Sequence, residues 1–116
     1  MDRKKELKAL YKQMKPKMGI IIIKRNDEAK CYIEETQDVQ SKLNSTKRRL
    51  ERLCHPNKEL QREWKSFGAS KFIIEILDNL EYDKDASKTD YNEDLKLLKE
   101  IWKDKLTEEN MEFYGE

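Results

Sequence analysis

Four consecutive isoleucines, Ile20 to Ile23, interrupt a chain whose other apolar residues recur mostly at helical spacing. Upstream, Leu7, Leu10, Tyr11, Met14 and Met18 fall at steps of three and four. Residues 2–15 therefore predict an amphipathic helix with a lysine-rich outer face, ended by Pro16. The β-branched run within residues 18–24 is too short and too uniform for a surface helix and predicts a buried strand. Asn26-Asp27 supplies a polar turn, and residues 30–33 form a second short strand, so the two are expected to pair as an antiparallel hairpin.

Asp38 is a good N-cap, and Val39, Leu43, Thr46, Leu50 and Leu53 then share one helical stripe to about Cys54. Pro56-Asn57 begins a shorter helix with Leu60, Trp64 and Phe67 on one face and Gly68 at its C-terminal turn. In residues 71–77, Phe72, Ile74 and Ile76 alternate with Ile73 and Leu77, which predicts a strand buried on both faces, broken only by Glu75. Residues 80–91 lack an apolar period and predict a flexible loop. Asp90 and Glu93 fit a capping box for a last helix carrying Leu95, Leu98, Trp102 and Leu106. Trp64 and Trp102, spaced with leucines, are expected in the core. The expected fold is α+β, a three-stranded, mainly antiparallel sheet flanked by helices in the order α-β-β-α-α-β-α. One domain covers residues 1–116: an N-terminal lysine-rich helix (1–16), a core (17–106) and an acidic tail (107–116) expected to fray.

A length of 116 residues fits a single domain with a modest core. Charged residues make up 42% of the chain and apolar ones 36%, but the Ile, Leu, Trp and Phe residues cluster, which argues for folding rather than disorder. No apolar run approaches a membrane span, and Met1-Asp2-Arg3-Lys4-Lys5 leads into nothing like a signal peptide, so a cytoplasmic location is expected. Cys31 and Cys54 are expected to be free thiols, and His55, the sole histidine, has too few companions for a zinc site. There is no glycine-rich phosphate loop and no helical His pair. Charge is two-ended: 18 basic and 10 acidic residues up to Phe67, then 7 basic and 14 acidic. A basic half can offer a phosphate-binding face, or it can simply keep a small protein solvated.

Gly19-Ile20-Ile21, a turn, Tyr32-Ile33-Glu34, a polar helix, His55-Pro56-Asn57-Lys58, Leu60-Gln61, Trp64, Gly68 and residues 72–77 together resemble the GIY-YIG endonucleases over roughly residues 17–106. That resemblance implies hydrolysis of DNA phosphodiesters by a tyrosine of the first tripeptide, an arginine on the next helix and a glutamate on a later helix that holds one divalent metal. Such chemistry needs an oriented water, positive charge on the developing dianion and a cation at the leaving oxygen. By position, the first tyrosine falls at Ile21, which has no hydroxyl, and the second is kept as Tyr32. The glycine after Ile33 falls at Glu34, and Glu34-Glu35 would repel a phosphate. The arginine falls near Lys42, which keeps charge but loses the bidentate fork. The metal-binding glutamate, three residues before Trp102, falls at Lys99; Glu100 is adjacent but turned about 100° around the helix.

Tyr32 reads as a catalytic phenol or as a half-buried strand aromatic, and His55 as a phosphate contact or a helix-start residue. Lys42, Lys47, Arg48, Arg49 and Arg52, with His55, form the candidate nucleic-acid face. The leading expectation is a GIY-YIG nuclease-like domain that binds nucleic acid, with DNA the candidate partner, with weak or lost cleavage and without a required cofactor. One alternative is an active endonuclease that binds Mg²⁺ or Mn²⁺ through Glu34, Glu35 and Glu100. Another is a non-catalytic protein-interaction module whose opposed charges could support head-to-tail association.

Overall fold

The computed structural model describes residues 15–115. The helix predicted over residues 2–15 lies outside that range but for its last residue. The described elements run β1 (Met18–Arg25), β2 (Lys30–Thr36), α1 (Val39–Glu51), α2 (Lys58–Phe67), β3 (Phe72–Leu80), α3 (Asn92–Glu108) and β4 (Glu112–Phe113).

The isoleucine run forms the strand predicted for it, because β1 is central in a sheet ordered β3-β1-β2-β4 and its side chains are covered on both faces. Ile23 joins Leu50 of α1, Leu60 and Trp64 of α2, Phe72 and Tyr114 in one core cluster. On the other face Ile20 and Ile22 meet Cys31, Ile33 and Leu106, with Leu98 and Trp102 of α3 packed alongside. Two helices thus cover one side of the sheet and one covers the other. The β1–β2 hairpin is antiparallel as expected, with Gly19 opposite Thr36 and Lys24 opposite Cys31.

Several expectations need correction. The sheet has four strands and is mixed, since β4 pairs parallel to β2 through Lys30 opposite Glu112 and Cys31 opposite Phe113. The tail expected to fray therefore closes the sheet, held there by Tyr114, which is buried with Ile23. Strand β2 runs past Ile33 to Thr36, because Glu34 and Glu35 find cationic partners and need not leave the sheet. Strand β3 is an edge rather than a doubly covered strand, and Ile73 and Ile76 are each 38% exposed. Finally, the capping box at Asp90 does not form: Tyr91 occupies the N-cap position, and Asp90 accepts instead from the Asn92 N–H at 3.0 Å.

Gly19 sits at a close approach of β1 and β3. A Cβ there would lie 2.0 Å from the Asp78 carbonyl oxygen, so only glycine fits. One residue further along, the β1–β3 register shifts between Ile20 and Ile21, leaving Leu77 unopposed between Ile76 and Asp78. That bulge presents two successive residues toward α3: Leu77 packs against the same core cluster as Trp102, and Asp78 accepts the Trp102 indole N–H at 2.9 Å. Trp102 is thus fixed at both its apolar body and its polar tip.

Helix ends follow the sequence closely at two places. Asp38 accepts from the Ser41 N–H at 3.1 Å and Asn57 from the Leu60 N–H at 3.0 Å. Helix α1 stops three residues short of Cys54, and Leu53 takes φ 59°, half-exposed rather than on the buried stripe. Phe67 is likewise exposed, with the Arg25 guanidinium 4.3 Å from its ring centroid. Arg25 is itself buried, pairs in a fork with Asp27 and reaches Glu63 at 2.8 Å, tying the hairpin turn to α2. Among the described residues no helix is long and apolar enough to cross a membrane.

Candidate functional site

Strand β4 covers only Lys30 and Cys31 of β2, so the outer edge of β2 is open from Tyr32 onward. Along that edge lies a cleft of about 380 Å³ lined by Tyr32, Ile33, Asn57, Lys99, Lys103 and Thr107, with Tyr114 and Gly115 at its far side. Successive strand residues point to opposite faces, which sends Tyr32 and Glu34 toward α1 and α2 and Glu35 toward α3.

On the first face, the Tyr32 hydroxyl donates to Glu34 Oε2 at 3.2 Å and the Lys42 ammonium lies 2.8 Å from Glu34 Oε1. The Tyr32 ring meets His55 edge-on, with centroids 5.3 Å apart. Tyr32, Glu34, Lys42 and His55 are therefore brought together. His55 is buried; its Nδ1 accepts from the Asn57 N–H at 3.0 Å and its own N–H donates to Gln61 Oε1 at 2.9 Å. That is the geometry of a residue organising the start of α2. Burial lowers its pKa and outweighs the nearby Glu34 carboxylate and the backbone hydrogen bond at Asn57, which act to raise it, with Arg49 and Lys42 adding to the lowering, so the neutral ring predominates at pH 7.

On the second face, Lys99 of α3 pairs with Glu35 Oε2 at 3.3 Å, and that oxygen is buried without a hydrogen bond. Lys103, one turn on, is only 3.9 Å from the largely exposed Glu100. Ile21, opposite Glu34 in the β1–β2 register, is completely buried and presents no polar atom to the cleft.

The basic stretch of α1 divides in two. Lys42 is held by Glu34, whereas Lys47, Arg48, Arg49 and the C-cap residue Arg52 are exposed and make no ion pair among the described residues. Sequence reasoning missed Asn57 and Lys103 as cleft residues. The second had a signal: a lysine four residues after Lys99 must share its helix face. Adjacent glutamates on a strand carried another, since they need a cation on each side of the sheet.

Two solved structures are similar to this one. The catalytic domain of the homing endonuclease I-TevI superimposes with a TM-score of 0.65 at 23% identity, covering 85% of this chain and 99% of that one. An alanine variant of the catalytic domain of the intron endonuclease I-TevI gives 0.59 at 25% identity, over 85% and 92% of the respective chains. This is a GIY-YIG-like fold. No protein-family model and no curated protein matches the sequence.

The GIY-YIG plan implies a divalent metal, and the residues present do not fit one. The position expected to supply a carboxylate carries the Lys99 amine, and the neighbouring Glu35 is engaged by that amine. Among the described residues no three His, Cys, Asp or Glu side chains are placed to hold a metal together.

Proposed function

We propose that this GIY-YIG-like domain binds nucleic acid through the exposed basic face of α1 and cleaves it weakly or not at all. The observation that carries the reading is the pairing of Glu34 with Lys42 and of Glu35 with Lys99. The side chains standing where a nuclease would hold phosphate and metal are occupied with each other, while Lys47, Arg48, Arg49 and Arg52 are left for solvent and ligand. Phosphate binding needs only nearby positive charge; hydrolysis needs an oriented nucleophile and a cation as well. Buried Ile21 offers neither proton acceptor nor donor, and Tyr32 donates its hydroxyl proton to Glu34.

Relocated carboxylate ligands find little support in this geometry. Glu34 and Glu35 point to opposite faces of β2, and Glu100 is an exposed residue of α3.

The test is fluorescence anisotropy with duplex and branched DNA across a salt series, paired with cleavage assays in Mg²⁺ and Mn²⁺. Binding should weaken linearly in log salt, and replacing Arg48, Arg49 and Arg52 by alanine should flatten the slope by up to about 0.9 per lost contact. Robust cutting abolished by Glu100→Ala would overturn the non-cleaving part. Absence of binding at low ionic strength would overturn the nucleic-acid part and favour a protein-interaction module.

A further inference from the structure

The cleft beside β2 is poor in carboxylates but rich in hydrogen-bond donors. Lys99 and Lys103 sit one helical turn apart on α3, and both line it. Asn57 lines it from the start of α2 and is only 7% exposed. Its orientation is fixed by chemistry, since a carbonyl oxygen must face the Leu60 N–H that it caps at 3.0 Å. The remaining end of that side chain is therefore an NH₂ group, and it donates to nothing among the described residues. An amide donor held rigid in a nearly buried side chain, beside two amines, is a poor place for a cation and a suitable one for an oxyanion.

The opposing charges are few. Glu35 lies against Lys99, and Glu100 reaches Lys103 only at 3.9 Å with its side chain 65% exposed. Glu34, on the same face as the lining residues Tyr32 and Asn57, is engaged by Lys42 and by the Tyr32 hydroxyl, and Glu59, beside Gly115, is paired with Lys30. Lys103 is thus the amine with most to gain from an incoming anion, while Lys99 would share its charge between Glu35 and the ligand. The volume of about 380 Å³ accommodates a phosphate group with part of its substituent.

We infer that this cleft is a phosphate-monoester site, with Lys103, Lys99 and the Asn57 amide as donors. Inorganic phosphate, a free nucleotide and the phosphorylated end of a nucleic-acid strand share the recognised chemistry. This site is separate from the α1 face, so it stands or falls independently of nucleic-acid binding there.

The experiment is an NMR titration of the whole protein with inorganic phosphate, with chloride at matched ionic strength as control, followed by 5′-phosphorylated and 5′-hydroxyl oligonucleotides. Phosphate should give saturable shifts at Tyr32, the Asn57 side-chain amide, Lys99 and Lys103 that chloride does not reproduce. Lys103→Ala, a partly exposed change that leaves the Glu35 pair intact, should weaken phosphate binding about tenfold. If the 5′-phosphorylated strand binds more tightly than inorganic phosphate and the 5′-hydroxyl strand loses that advantage, the ligand is a strand end. Equal affinity for inorganic phosphate identifies a free phosphate or nucleotide. Both results support the site. Shifts shared equally by chloride, shifts confined to Arg48, Arg49 and Arg52, or an unaltered affinity in Lys103→Ala would each overturn it.

Discussion

Glu34 Oε1 lies 2.8 Å from the Lys42 ammonium while Glu34 Oε2 accepts from the Tyr32 hydroxyl, so Lys42 already has a counter-ion before any ligand arrives. A nucleic-acid phosphate can use Lys42 only by displacing that carboxylate. Glu34→Gln is therefore expected to tighten DNA binding and steepen the log-salt slope by up to about 0.9, the value for one additional phosphate contact. Both partners are one-quarter exposed, so the pair contributes less than about 1 kcal/mol to stability and the variant should remain folded. An unchanged slope in anisotropy titrations would mean that Lys42 stands outside the interface.

Gly19 allows β1 and β3 to approach beside the bulge at Leu77. Gly19→Ala places a methyl group against the Asp78 carbonyl, and both belong to paired strands with little freedom to move apart. The expected loss is about 1–3 kcal/mol, read by urea denaturation. An alanine variant as stable as the parent would show that β3 is not held at this spacing.

His55 predicts a pH dependence whose sign follows from its burial. Its folded pKa lies below the ordinary value of 6.5, so between the two values the unfolded chain binds more protons than the folded one. Stability is then fully present above pH 6.5 and declines as pH falls through the folded value. The carboxylates of Asp27 and Glu59 are held low by Arg25 and Lys30 respectively and act only at more acidic pH, so the windows separate. Denaturation curves at pH 7.5 and 5 should differ for the parent and differ less for His55→Gln. Because the chain has a single histidine, its titration can also be followed directly by NMR.

The two cysteines should be distinguishable by reactivity. Cys54 is exposed, whereas Cys31 is fully buried and its thiol is pushed up to about 11 by burial. A chromogenic disulfide reagent should modify one thiol at once in the native protein and the second only on unfolding. Two thiols reacting at one rate would contradict the packing of Cys31 against Ile20, Ile33 and Leu106.

Leu53 should tolerate, and profit from, replacement by glycine. It adopts φ 59° with half its surface exposed, a conformation that L side chains disfavour by roughly 1–2 kcal/mol. Leu53→Gly removes that strain and little packing, so a net gain of up to about 1 kcal/mol in urea denaturation is expected. A loss would show that the Leu53 side chain packs more than its exposure implies.

Most of the fold could be read from residues whose surroundings are set locally. A run of four isoleucines has few fates other than a covered strand, and Asp38 and Asn57 cap their helices with side chains that reach only three residues ahead. The fourth strand could not be read, because Glu112 and Phe113 have no strand pattern of their own and pair only since Tyr114 has a core to enter. Ile73, Ile74 and Ile76 pointed to a doubly covered strand, yet whether β3 has a neighbour on its far side depends on the whole sheet order. At the cleft, the sequence directed attention to Ile21, Lys42 and Lys99; that the two lysines would answer Glu34 and Glu35 could not be read from it. Those contacts join positions 8 and 64 residues apart, and pairing across such separations depends on how α1 and α3 settle on the sheet.

Tyr114 shares its burial with Ile23, so the two ends of the described chain meet in one cluster. A nascent chain leaving the ribosome would carry β1, β2 and both covering helices well before the residue that seals them. Until then β2 would offer its outer edge to any neighbouring strand along its full length, the period when aggregation or a holding chaperone would compete with folding.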